Sequence, residues 1–144
     1  MSHESFMAEA LKEARKAFEE GEVPVGAVVV CENRIVGKGY NQTQKLHDVT
    51  AHAEMIAITA AANYLGAKYL NDCTMYVTLE PCIMCAGAIG WAQLGGLIIG
   101  SLDEKKGFLR IKEPVLHPKT EVLTGILATE SKQLLTEFFQ NLRQ

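Results

Sequence analysis

Two short, widely separated stretches constrain this chain more than any other feature: His52-Ala53-Glu54 and Pro81-Cys82-Ile83-Met84-Cys85. Two thiols at i and i+3, an imidazole well upstream and a carboxylate beside it are the parts of a catalytic zinc centre. Protein zinc takes Cys sulfur and His nitrogen in tetrahedral geometry; structural sites fill all four positions, and catalytic ones leave one for water. Counted this way, His52, Cys82 and Cys85 are ligands for one zinc per chain, and Glu54 is the neighbour of the open position. Any fold this chain adopts must bring the two stretches together. His47, His117 and Cys73 are the remaining candidates for a fourth ligand, and none has motif spacing to the others.

The hydrophobic pattern indicates how that convergence arises. Residues 5–20 read as an amphipathic helix, with Met7, Leu11, Ala14 and Phe18 on one face and Gly21 and Pro24 as the stop. Val25 to Cys31 is a continuous apolar run and reads as a buried strand, with Glu32-Asn33 as a turn and Arg34 to Tyr40 as the returning strand. Gly26, Gly37 and Gly39 mark bulges or close backbone approach. Asn41 to Val49 is a polar loop. Thr50 reads as the N-cap of an Ala-rich helix that runs to Leu65 and closes on Gly66.

Thr74 to Leu79 is the third strand, and Pro81 suits the first position of the next helix, which runs to Gln93. Leu97 to Ile99 is the core of a fourth strand, 102–120 is irregular or partly helical, and Glu121 to Leu123 is a short fifth strand. Thr129 or Ser131 starts the last helix, whose apolar face is Leu134, Leu135, Phe138 and Phe139. The expected fold class is α/β: three α-β-α layers around a mixed five-stranded sheet, a hairpin first and helix-linked parallel strands after it.

In that arrangement both ligand stretches open helices. Helix N-termini carry unpaired N–H groups and roughly half a positive charge, a field that favours thiolate over thiol. Zinc can lower the pKa of bound water to about 7. Glu54 is i+2 from His52, so it does not share the His side of the helix and is expected to act on the water as general acid/base, not as a ligand.

At 144 residues, 48% of them apolar, the chain reads as one domain, 1–144. No apolar run is long enough to span a membrane, and the first residues show no basic-then-apolar leader, so a cytoplasmic location is expected. The net charge of −3 does not by itself indicate a nucleic-acid binder. The bases are nonetheless concentrated between Lys105 and the C-terminus, while the first helix is acidic, so any RNA surface is local; an ordinary solvated face is the alternative. Cys31 and Cys73 sit in apolar contexts and read as buried small hydrophobes.

His-x-Glu followed by Pro-Cys-x-x-Cys is the signature of the zinc nucleobase deaminases, and the chain resembles the cytidine/deoxycytidylate deaminase superfamily. Within it, the chain is most similar to the bacterial tRNA-specific adenosine deaminases. Gly21-Glu22-Val23-Pro24-Val25-Gly26-Ala27-Val28-Val29 matches the first-strand motif, Thr50-Ala51-His52-Ala53-Glu54 the first ligand helix, and Thr78-Leu79-Glu80-Pro81-Cys82 with Met84-Cys85-Ala86-Gly87-Ala88-Ile89 the second. Leu134-Leu135, Phe138-Phe139 and Asn141-Leu142-Arg143 are similar to the C-terminal helix.

The resemblance implies a cytidine-deaminase-like fold, a homodimer, and conversion of the wobble adenosine of a tRNA anticodon loop to inosine. It places Asn41 and Ala53 at the substrate, Asp103, Lys105 and Lys106 in a loop bordering it, and Phe139 and Arg143 where the last helix approaches RNA. Asn41 also suits an Asx-type turn. Asp48-Val49-Thr50, Gln93-Leu94-Gly95-Gly96 and Phe108-Leu109-Arg110 depart from the family pattern. Two alternatives stay open: a deaminase of a free base or nucleoside of the guanine or cytosine type, and a non-catalytic zinc or RNA-binding scaffold.

Overall fold

The computed structural model describes residues 1–143. Five strands form one mixed sheet in the order β2-β1-β3-β4-β5. They are β1 (Gly26–Cys31), β2 (Arg34–Tyr40), β3 (Cys73–Leu79), β4 (Gly96–Ser101) and β5 (Glu121–Thr124). The β1–β2 and β1–β3 pairs are antiparallel, and β3–β4 and β4–β5 are parallel. Glu32 and Asn33 both take positive φ, the geometry of a tight hairpin turn, and a bulge falls between Val29 and Val30.

Helices α1 (His3–Glu19), α2 (Ala53–Leu65), α3 (Ile83–Ala92) and α4 (Ala128–Leu142) cover the two faces. Alternation along β1 shows the layering. Ala27 and Val29 join the core under α2 and α3, with Met75, Val77, Leu97 and Ile99. Val28 and Val30 join the core under α1, with Phe6, Met7, Ala10, Tyr76 and Ile98. The expected three-layer α-β-α architecture is therefore present.

The position of α2 follows from small residues. Ala53, Ala57 and Ala61 form a buried stripe on one helix face. They lie against β2 where it carries Gly37 and Gly39. A Cβ on Gly39 would strike the Ala53 carbonyl, and one on Gly37 would stand 2.6 Å from that of Ala57. Both glycines provide close approach, and Gly37 also borders the bulge, where Val36 of β2 is the unpaired residue.

Three helix starts differ from the sequence expectation. Thr50 is not the N-cap of α2: its N–H and hydroxyl both donate to Asp48 Oδ1, at 2.8 and 2.7 Å, and His52 occupies the cap. Pro81 is not the first residue of α3, because Cys82 is its extended cap and the helix begins at Ile83. Helix α4 begins at Ala128 behind Leu127, which takes positive φ. Ser131 lies inside that helix, buried, and donates to the Thr78 carbonyl at 2.5 Å.

Candidate functional site

The site lies beyond one end of the sheet, where β2, β3 and β4 finish. Ligand sites of open α/β sheets form at such carboxyl ends. His52 caps α2 and Cys82 caps α3, and neither side chain makes a capping hydrogen bond. Both point at each other instead. His52 Nδ1 lies 3.7 Å from Cys82 Sγ and 3.5 Å from Cys85 Sγ, and all three donor atoms fall within 4.8 Å of one another.

Those separations test whether a metal fits. Zinc–sulfur bonds of about 2.3 Å and zinc–nitrogen bonds of about 2.0–2.1 Å, at tetrahedral angles, set S···N near 3.5 Å. The donors stand at that spacing. Two sulfurs and one imidazole nitrogen are a zinc donor set with one position left over. His47, His117 and Cys73 do not join the cluster.

Charge within the cluster is already polarised. Hydrogen bonds from Cys85 and then His52 lower Cys82 to about 3, so it is a thiolate. The same hydrogen bond to Cys82, reinforced by burial, pushes the Cys85 thiol up. His52 is raised by its contact with Cys82. A thiolate facing an imidazole and a second thiol is a donor set whose remaining protons a bound cation would displace.

Glu54 is 3% exposed and stands outside the three-donor cluster, close enough to Cys85 that its carboxyl helps push that thiol up. Burial is the main reason its pKa is pushed up to about 7. It is the acid that the local sequence placed beside the metal position.

The other sequence-derived residues divide. Asn41 links the first-strand motif to α2: its Nδ2 donates to the Val23 carbonyl at 3.1 Å, and its Oδ1 accepts the Ala53 N–H at 2.9 Å. It thereby caps the helix that His52 leaves uncapped. The Ala53 amide is engaged in that bond, and its methyl is buried. Asp103 Oδ1 accepts the N–H groups of Lys105 and Lys106, both at 3.1 Å, and so shapes its own loop.

Asp103, Lys105, Lys106, Lys132, Leu135 and Phe139 line a cavity of about 850 Å³ that reaches Val23 and Leu79 but not the metal donors. Phe138 is buried against Phe18, whereas Phe139 is 42% exposed. Arg143 is the exposed C-cap of α4 and does not line the cavity.

Sequence reading missed two buried acids whose carboxylates accept backbone N–H groups. Glu22 accepts Gln44 N at 3.1 Å, Lys45 N at 2.8 Å and Thr43 Oγ1 at 3.4 Å, which fixes the loop after Asn41. Glu80 accepts Asp103 N at 2.9 Å and Leu109 N at 2.8 Å. Lys132, on the cavity wall, was also passed over. The one usable signal was position, since Glu80 directly precedes Pro81-Cys82 and Glu22 directly precedes Val23-Pro24.

Residues 1–101 match the cytidine and deoxycytidylate deaminase zinc-binding region. The chain is 45% identical to a tRNA-specific adenosine deaminase of Aquifex aeolicus, over 99% of this chain and 97% of that protein. A solved structure from work on A-to-I editing by tRNA:A34 deaminases at the wobble position superposes with a TM-score of 0.86. It is 42% identical, and the match covers 91% of this chain and 99% of that one. A guanine deaminase of Bacillus subtilis is 39% identical with a TM-score of 0.68, over 71% of this chain and 66% of that one. The fold, the donor cluster and these likenesses agree: the chain belongs to the cytidine and deoxycytidylate deaminase family, in the group of tRNA-specific adenosine deaminases.

Proposed function

We propose that the protein is a zinc-dependent hydrolase that converts the wobble adenosine of a tRNA anticodon to inosine and releases ammonia. One observation carries this: a buried acid, Glu54, stands beside three converged metal donors in a chain 45% identical to a tRNA-specific adenosine deaminase.

His52, Cys82 and Cys85 hold the metal, and the chemistry zinc supplies there is Lewis-acid activation of a water molecule near neutral pH. Glu54 carries the protons. Its carboxylate takes one from the water as oxygen attacks the ring carbon bearing the amine. The resulting acid gives that proton to the adjacent ring nitrogen. It then delivers the second water proton to the leaving amine, and ammonia departs as the ring carbonyl forms. A buried carboxyl, whose neutral form burial stabilises, can both take up and give back a proton. Asn41 keeps one N–H and one lone pair beyond its two bonds in the fold, which suits contact with a purine edge.

RNA is held at the rim. Lys105, Lys106 and Lys132 make no ion pair among the described residues, so their charge is free for phosphate. Phe139 beside them offers a face for stacking. An unpaired loop base avoids most of the cost of extrusion from a duplex. Arg143 extends the basic surface past the end of α4.

The active unit is a homodimer of 1–144 catalytic domains. Ile83, Gly87 and Trp91 lie along one line of α3, and Trp91 is 84% exposed, an apolar stripe that suits a second copy. No described helix is long and apolar enough to cross a membrane. The thiol-dependent site suits a reducing cytoplasm.

The likeness to a guanine deaminase supports a second reading, a free-base deaminase. The test is inosine formation at the wobble position of an anticodon stem-loop by protein loaded with one zinc per chain. Consumption of guanine with the stem-loop unchanged selects the second reading.

A further inference from the structure

Glu80 is a buried acid that the reaction does not use. It is 5% exposed and forms no ion pair among the described residues. Its two oxygens accept two backbone N–H groups, Asp103 at one end of a loop and Leu109 at the other. Between these anchors lie the exposed Glu104, Lys105 and Lys106. The same chain segment holds the loop at three more places. The Glu80 N–H donates to Ser101, Phe108 N–H donates to the Pro81 carbonyl at 3.0 Å, and Cys82 forms a bridge with Gly107. A side chain at 107 has no room, because its Cβ would overlap the Glu80 carboxylate.

Burying an acid without a cation is costly, and the local chemistry indicates why this one is present. A carboxylate accepts at both oxygens. A glutamine of the same shape must turn its NH2 toward one of the two amides. Only the acid can tie both ends of the loop, and it does so two residues before a metal ligand.

We propose that Glu80 is a positioning residue for substrate: it hangs the lysine-bearing 103–109 loop from the segment that presents Cys82, and so sets the RNA-facing rim at a fixed distance from the reacting centre. This rests on the deaminase reading above for its substrate, but not for the anchor itself.

The test uses the full zinc-loaded chain carrying Glu80→Gln, with Gly107→Ala as an independent way to displace the carboxylate, and the two combined. Expected results are one zinc per chain, faster hydrogen exchange at the Asp103 and Leu109 amides, and KM for a wobble-adenosine stem-loop raised about 10- to 100-fold, the effect of one lost buried partner. kcat should stay within about threefold, and the double variant should be no worse than the worse single, because both act through one carboxylate. Loss of zinc, a fall in kcat at constant KM, unchanged amide exchange, or additive effects would each overturn the proposal. If wild-type protein ignores the stem-loop and consumes a free base, the substrate reading fails. The exchange rates and the KM for that base then decide the role of Glu80 in the same way.

Discussion

The donor pocket and the basic rim are built by opposite means. The pocket is made of close packing: alanines on α2 meet glycines on β2, and His52, Glu54 and the two cysteines are fixed by helix starts. No fully buried side-chain donor or acceptor is left without a partner among the described residues. The rim joins an irregular stretch from Leu102 to Thr120 to Lys132 of α4, with β5 exposed along its length and lysines that reach solvent. Chemistry needs preorganised groups in a low-dielectric setting, where each is worth several kcal/mol. Binding a polyanion needs many weak, solvated charges, none decisive alone. Substitutions in the pocket should therefore be severe and individual, and those in the rim mild and cumulative.

The largest effect should come from Glu54→Ala. The variant keeps its zinc and its fold, yet turnover falls by at least about 10²–10⁴, since one group serves several proton transfers. Metal analysis beside single-turnover assays checks both halves.

Glu54→Gln separates function from stability. Burial raises the pKa of Glu54 in the folded state from 4.5 to about 7. The folded state thus binds more protons than the unfolded one between those values, and metal-free protein loses stability as pH rises through that window. The loss is on the order of 3 kcal/mol. Glutamine removes it, so in chelator the variant should be the more stable at pH 8 and equal to wild type at pH 4. Urea melts at both pH values measure this.

Gly39→Ala attacks the packing under the pocket. The new methyl meets the Ala53 carbonyl, and α2 must shift with His52 and Glu54 on its first turn. A destabilisation of about 1–3 kcal/mol is expected, with reduced activity, measurable by thermal melting and zinc titration.

The smallest effects belong to the rim. Lys105→Ala, Lys106→Ala and Lys132→Ala should each lower the log–log salt slope of RNA binding by about 0.7, the signature of one phosphate contact on a single strand. Slopes from fluorescence anisotropy across salt concentrations read this directly; three unchanged slopes would return these residues to a solvated face.

The same contrast explains what was legible in the sequence. The zinc donors could be named because metal geometry restricts residue type and spacing, and the strands because burial on both faces leaves uninterrupted runs such as Val25 to Cys31. The helix starts were not legible in detail. His52 and Cys82 lack the usual capping chemistry because their side chains turn toward each other and Cys85 instead, so local rules favoured Thr50 and Pro81. Ser131 looked like a cap and is a buried peg to Thr78. Glu22 and Glu80 were invisible for another reason: an acid whose partners are backbone amides many residues away resembles any surface acid.

The central claim is that one pocket performs deamination and the rim directs it to RNA. A single ammonia-release assay tests it, comparing a tRNA bearing a wobble adenosine with free adenine, guanine, cytosine, adenosine and cytidine at equal concentration. Binding energy from remote phosphates lowers KM and so raises kcat/KM for the intact RNA, and it is missing from the fragments. The predicted result is rapid release from the tRNA and little from any free base or nucleoside. Efficient release from guanine or cytosine, with the tRNA adenosine intact, would contradict it.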